Sequence, residues 1–543
     1  MSSYAQLPQE VTDPDVPPHD RHPSQHARPL QIYWLSAIVC CGGLLFGYDS
    51  GVIGGVLTFD SFLRDFRYTT DEQTRVSSIA VGIQQAGALV GCLLIWPLTN
   101  RYGRRRALML CSAIFCFGVI FEIINSHSLP VFYIGRIICG LGVGGSATVS
   151  PIYLAEMSPK HLRARLGSGY QFTFTIGIFI SYWIDYALQF RAPTQAQWQI
   201  PLALQLIPGA LMGLGMLFLN ESVRWLLSHG HTTAAWKSLV WIRATQTNHS
   251  AVVAEFAEMK RAVDDDLDAT ANFHPRELLF RSNLHRIFLA VSLFIAQQAT
   301  GATAMAYFGP QFFALLVGGG ADSQSQKETH SLTLLLTGIF GALKVLSCLF
   351  FILFVADRFG RRPLLALGAL GMSICMISTS ILLLKSPPAS SPSHSSTTTT
   401  TTTSLPATST LTILLIYTSI TLYNLSWGPL PWPLSAELFP TRTRSPGVSL
   451  AVASQWVSNF IWSFSTPYIL ENLKWATFLL FGVFDAGIAG FVVLCVPETR
   501  GLTLEEVQGL FEGDGREDDG REREGLVGGD CYDGHDHFTV SIY

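Results

Sequence analysis

Asn100-Arg101-Tyr102-Gly103-Arg104-Arg105 and Asp357-Arg358-Phe359-Gly360-Arg361-Arg362 are one short basic turn, written twice in the same chain. Each closes a long apolar run and opens the next. Two further pairs stand at equivalent points. Ala155-Glu156-Met157-Ser158-Pro159, followed by Arg163 and Arg165, matches Ala436-Glu437-Leu438-Phe439-Pro440, followed by Arg442 and Arg444. Asn220-Glu221-Ser222-Val223-Arg224 matches Pro497-Glu498-Thr499-Arg500. Three paired motifs in one order indicate an internal duplication. Membrane carriers often have such repeats, with the ligand site between the halves.

A membrane-spanning helix needs ~20 mostly apolar residues. Twelve such runs are present: 33–57, 76–98, 107–124, 131–155, 166–188, 200–219, 286–315, 332–356, 364–384, 411–434, 447–468 and 475–496. The expected fold is therefore an all-α membrane protein, with twelve transmembrane helices in two pseudo-symmetric six-helix bundles. Its parts would be a polar tail (1–31), a first bundle (32–219), a cytoplasmic linker (220–285), a second bundle (286–496) and an acidic tail (497–543). Composition agrees. Of 543 residues, 49% are hydrophobic and only 14% charged, with a mean hydropathy of +0.33. Soluble proteins carry ~25% charged residues. So little charge cannot cover a water-facing surface. That excludes a secreted enzyme, a nucleic-acid binder and a disordered scaffold. Residues 1–30 are polar and lack the apolar core of a secretory signal.

Basic residues set the orientation. With both termini inside, the external loops hold Arg64, Arg67, Arg75, Arg191, Lys327, Lys385 and Lys474, and the cytoplasmic loops hold most of the remaining Lys and Arg. The external segment 386–410 has seven consecutive Thr and reads as a flexible linker. The sequon Asn248-His249-Ser250 falls in the cytoplasmic linker, so it is expected unmodified. The ten Cys lie mostly in apolar runs, lack a metal-binding spacing and read as buried hydrophobes. No metal site and no nucleotide-binding Gly-Lys-Ser/Thr loop is present.

Charges inside a bilayer are costly and usually functional. Asp49 is mid-helix, Arg136 lies early in the fourth run and Lys344 is within the eighth. An Asp49–Arg136 pair suits a site whose protonation switches as access alternates, or a static ion pair. Lys344 suits an anionic substrate, a carboxylate partner or a headgroup. Polar uncharged residues are grouped: Gln171, then Gln297, Gln298 and Thr303 around Gly301, then Gln455 and Asn459 one helical turn apart. Amides offer both donors and acceptors to a polyhydroxylated ligand, and Trp432 offers a stacking face. Each amide alone also serves as glue between helices. Gly301, Pro429 and Pro431 mark places where helices break to line a cavity.

These motifs resemble the sugar porter family of the major facilitator superfamily, from about Tyr33 to Glu506. Specific to it are Gly-Arg-Arg at both half-positions, Gly135-Arg136, Gln297-Gln298-x-x-Gly301 and Pro497-Glu498-Thr499-Arg500-Gly501. The run Gln199–Pro208 and Lys344 are similar to the fungal quinate-permease-like branch. The resemblance implies alternating access and a small-molecule substrate, either a sugar, a polyol or a quinate-like acid. It places Gln171, Gln297, Gln298, Trp432, Gln455 and Asn459 at the substrate, and Asp49 with Arg136 at proton coupling. The proton gradient would be the driving force, with no cofactor. An inner-face network would include Arg101, Glu156, Arg163, Glu221, Arg224, Arg358, Glu437 and Glu498. Thr303 replaces the family's helix 7 Asn, which bears on hydroxyl preference. Asn100, and Val223 in Asn220-Glu221-Ser222-Val223-Arg224, depart from the family's turns and bear on gating. Export of a specialised metabolite and a non-transporting nutrient sensor are the other readings.

Overall fold

The structure, a computed structural model, describes residues 30–124, 127–159, 162–243, 249–270, 274–317, 323–356, 358–385, 407–500 and Phe511. Asn248, Asp357, Cys531, the Thr run and most of both tails lie outside the described residues.

Twelve helical units form the bundle among these residues. They are α1 (Leu30–Val56), α2 (Gln73–Tyr102), α3 (Arg104–Ile123), α4 (Leu129–Met157), α5 (Arg163–Leu188) and α6 (Ala196–Leu204 with Leu206–Met216). The second six are α7 (Arg281–Ala299, Ala302–Tyr307 and Gly309–Val317), α8 (Ser323–Phe350, closing in a π-turn, Phe351–Val355), α9 (Arg361–Lys385), α10 (Ala407–Leu425 with Pro431–Glu437), α11 (Thr441–Leu473) and α12 (Ala476–Cys495). Helices Val223–Ser228, Thr232–Arg243 and His249–Thr270 lie between the sixes. Helix is the form these apolar runs must take, because lipid offers backbone N–H and C=O groups no partner.

Within the first six, α1 packs on α5, and α4 on both α2 and α3. Within the second, α9 packs on α12 and α10, and α7 on α11. The halves meet along α2–α11 and α5–α8. Small residues permit this closeness. At Gly47 of α1, any Cβ would run into the Phe174 carbonyl of α5.

Eight of the described helices are long and apolar enough to cross a membrane. The four units that fail that test are α5, α7, α10 and α11. They carry the amides singled out above, or they are interrupted. The run read as 286–315 breaks after Ala299, because Gly301 takes φ +77° and turns the chain. The run read as 411–434 stops at Leu425, ahead of Pro429 and Pro431, which have no N–H to continue a helix.

Hydrogen bonds between the halves gather at the end remote from the basic turns. The Tyr182 hydroxyl of α5 donates to the Ala306 carbonyl of α7. His330 Nε2 of α8 meets Thr58 Oγ1 at 3.1 Å. The Ser78 hydroxyl of α2 donates to the Phe464 carbonyl of α11. The bundle is thus fastened at one end.

Gly301→Ala places a Cβ 2.7 Å from the Phe481 ring on a left-handed residue, a conformation costing L-residues roughly 1–2 kcal/mol. Thermal unfolding of the detergent-solubilised variant is expected several degrees below wild type.

Candidate functional site

The breaks in α7 and α10 create a polar centre. Where α10 stops, carbonyls lose their helical partners, and Gln297 supplies replacements. Its Nε2 donates to the Trp427 carbonyl at 2.8 Å and the Gly428 carbonyl at 3.2 Å. Its Oε1 is left over. Gln298 Oε1, Gln455 Oε1 and Asn459 Oδ1 are likewise buried without a hydrogen-bond partner among the described residues. A buried polar atom without a partner costs about 1–3 kcal/mol. Four such amide oxygens stand on two neighbouring helices, α7 and α11.

The other expected members are distributed around this set. Gln171 is partly buried on α5, one turn before Phe174. Thr303 is partly buried on the middle segment of α7. Trp432 is half-buried, its ring edge-on to Phe294 at 5.1 Å. Trp427 is fully buried and donates to the Leu365 carbonyl at 2.9 Å, so it braces α10 against α9. Lys344 is buried on α8, its Nζ 5.9 Å from the rings of both Phe174 and Phe340. Phe174 packs on Phe46 at 4.8 Å, and Phe46 on Trp456 at 5.6 Å. This aromatic row crosses from α8 to α11 through α5 and α1.

The second cluster is charged and fully buried. Arg136 Nη1 donates to Asp49 at 2.8 Å and lies 3.4 Å from Glu122, all three side chains being fully buried. Its Nε donates to the Ala80 carbonyl at 3.1 Å, and Nη2 bonds Gln84. Gln205, at the joint of α6, donates to Glu122 at 3.2 Å. Asp49 Oδ2 has no partner among the described residues. Asp49 and Arg136 are therefore brought together, with Glu122 as a third member that the sequence reading missed. Asp185 of α5 and Asp485 of α12 were missed as well. Both are buried, with neither oxygen partnered among the described residues. The available signal was an acid inside an apolar run.

Tyr307, also missed, joins the two clusters. Asn459 Nδ2 donates to its hydroxyl at 3.3 Å, and the Tyr307 backbone packs on Gly54 of α1, the helix that carries Asp49.

The third cluster is at the basic turns and is duplicated as the sequence is. Glu221 accepts the backbone N–H of Arg104 at 2.8 Å and of Arg105 at 3.1 Å. Glu498 accepts those of Arg361 at 2.9 Å and Arg362 at 3.1 Å. Arg104 pairs with Glu156 at 3.0 Å, and Arg361 with Glu437 at 3.6 Å. The hydroxyls of Ser222 and Thr499 complete the two sites on Glu156 and Glu437. Arg101 and Arg358, expected within the inner-face network, make neither of these ion pairs. Gly103 ends α2 with φ +93°, so Arg104, not Arg101, turns toward Glu156. Arg101 is exposed, 5.4 Å from the Tyr102 ring, and Arg358 is exposed too. Arg224 pairs with Asp266 of the connecting helix instead. Arg163 begins α5, and its side chain lies outside the description.

The chain belongs to the sugar (and other) transporter family, whose model matches residues 35–511. It is 32% identical over 505 residues to a probable quinate permease of Neosartorya fischeri, covering 91% of this chain and 90% of that protein. It is 31% identical to the quinate permease of Emericella nidulans, covering 91% of each. Among solved structures it is similar to the proton:xylose symporter XylE bound to 6-bromo-6-deoxy-D-glucose. There the TM-score is 0.70 and identity 27%, covering 89% of this chain and 99% of that one. An inward-open XylE from E. coli gives 0.69 at 26% identity, covering 88% of this chain and 99% of that one. The twelve-helix major facilitator fold is thereby established.

Burial pushes the Glu498 carboxyl up, but four backbone N–H groups pull it down further, leaving it below its ordinary value. Its contribution to stability is present above the ordinary glutamate pKa of ~4.3 and is lost as pH falls through the lower folded value. At neutral pH, Glu498→Ala is expected to lower the midpoint of thermal unfolding by several degrees, and Arg358→Ala to leave it within about one degree. Equal loss in both would show that the latch does not run through Glu498.

Proposed function

We propose that the chain is a proton-coupled carrier that imports a polyhydroxylated compound by alternating access. The observation that carries this reading is the place of Tyr307: Asn459 of the amide set donates to its hydroxyl at 3.3 Å, and the residue packs on α1 next to the Asp49 cluster. Substrate bound at the amides would move Tyr307 and, through its packing on α1, the helix that carries the buried acid. Gln297, Gln298, Gln455 and Asn459 accept substrate hydroxyls through their free oxygens, Gln171 and Thr303 add polar contacts, and Trp432 offers an aromatic face. Asp49 Oδ2 is the atom open to a proton. No cofactor is needed, because the proton gradient supplies the drive.

The fastened end faces outward in this reading. The basic turns then face the cytoplasm, which accords with the excess of Lys and Arg there and puts both termini inside. We assign the carrier to the plasma membrane by analogy with an importer's task. The halves rock about the midplane, with the Glu156–Arg104 and Glu437–Arg361 pairs holding each half rigid at its inner face. Glu221 and Glu498 clamp the turns on which those pairs stand.

One observation favours a carboxylated polyol, such as quinate, over a neutral sugar. Lys344 is 3% exposed and has no acidic partner among the described residues. An uncompensated ammonium in the membrane interior is expensive. A substrate carboxylate arriving at the aromatic row would offset it. The names of the relatives point the same way.

Asp49→Asn in transporter-deficient yeast is expected to abolish accumulation against a gradient while counter-exchange of labelled substrate survives. Full accumulation by this variant would remove Asp49 from coupling. Lys344→Gln is expected to reduce uptake of quinate at least tenfold more than uptake of a neutral hexose or polyol. Equal losses would make Lys344 structural.

A further inference from the structure

Arg136 Nη1 faces two carboxylates at once, Asp49 at 2.8 Å and Glu122 at 3.4 Å, and all three side chains are fully buried. An acid that gives up its ion pair on protonation leaves the guanidinium alone. In a dry interior that loss opposes the protonation itself. The second carboxylate changes the balance. When Asp49 takes a proton, Glu122 remains on the same nitrogen and the cluster becomes neutral. When both acids are ionised, the cluster holds a net negative charge in low dielectric, which favours uptake of one proton.

Glu122 is held for this part. Gln205 Nε2 donates to its Oε2 at 3.2 Å from the joint of α6, which stabilises the ionised form. Asp49 Oδ2, by contrast, has no partner among the described residues. The proton therefore goes to Asp49, and the charge stays on Glu122. The titratable groups around Glu122 are Arg136 and Cys139 of α4 and Asp49 of α1. Tyr307 of α7 faces Asp49. Helices α2 and α6 contribute the amides of Gln84 and Gln205, which carry no charge.

We propose that Glu122 is a positioning residue for coupling, the standing counter-ion of Arg136 that lets Asp49 accept a proton. The proposal rests on the proton-coupled reading above, but its test needs no substrate. The full-length protein in liposomes is titrated by infrared spectroscopy, following the carbonyl stretch of protonated carboxyls. The component absent from Asp49→Asn reports Asp49. In Glu122→Gln, the midpoint of that component is expected to move to lower pH by about one unit or more, a tenfold rise in the proton concentration required. Glu122→Asp keeps the charge and is expected to bring the midpoint back toward wild type. If Glu122→Gln does not purify as a monodisperse protein, Gln205→Leu tests the same contact. Freed from its amide, Glu122 competes better for the proton, and the Asp49 midpoint again moves to lower pH.

An unmoved midpoint in the purified variant, a move to higher pH, or no Asp49-dependent component at all would overturn the proposal. The proton-coupled reading fails separately, by substrate uptake without proton movement. The two failures are thus read in different experiments.

Discussion

Arg136 carries a charge that no protein environment removes, and it is buried at the centre of a lipid-embedded bundle. Five helices of the first half are organised by that fact. Helix α1 brings Asp49, α2 brings Gln84 and the Ala80 carbonyl, α3 brings Glu122, and α6 breaks at Gln205 to reach Glu122. Removing one partner of such a buried pair costs about 3–5 kcal/mol, so the first half is locked around its guanidinium. A locked half with a titratable lock can sense protons without falling apart.

The second half solves a different problem. It leaves the amide oxygens of Gln297, Gln298, Gln455 and Asn459 without a partner among the described residues, which the proposed reading assigns to a ligand. Helices α7 and α10 break, and the carbonyls released in α10 are met by one side of Gln297, so that its other side remains free. Tyr307, bonded to Asn459, packs this set against Gly54 of α1. The same logic explains why α5, α7, α10 and α11 are the units too polar or too short to read as ordinary spans. Packing against neighbouring helices supports polarity that lipid would not tolerate.

Much of this was legible from residues alone. Twelve apolar runs, three duplicated motifs, the Asp49–Arg136 pairing and the amide group all follow from rules about lipid and charge. What was not legible depended on rotation about helix axes. Glu122 closes an apolar run, where an acid ordinarily marks the aqueous boundary, and only the packing of α3 on α4 turns it inward. The basic turn offers several arginines, and the positive φ of Gly103 decides that Arg104 rather than Arg101 meets Glu156. Tyr307 carries no sequence signal of its own; the turn at Gly301 brings it to Asn459. Asp185 and Asp485 sit in plain view in the sequence, but no partner type predicted their burial.

In the proposed mechanism, ligand binding at the amides and proton binding at the buried acid are one event. The most direct measurement is the pH of a weakly buffered suspension of transporter-deficient yeast expressing the protein at the surface. Hexoses, pentoses, disaccharides, polyols and quinate are added singly, alongside the uptake of each labelled compound. The account predicts that the medium turns alkaline with the compound that is taken up, and with quinate in particular if Lys344 receives a carboxylate. Accumulation of a labelled compound with no movement of protons would contradict it.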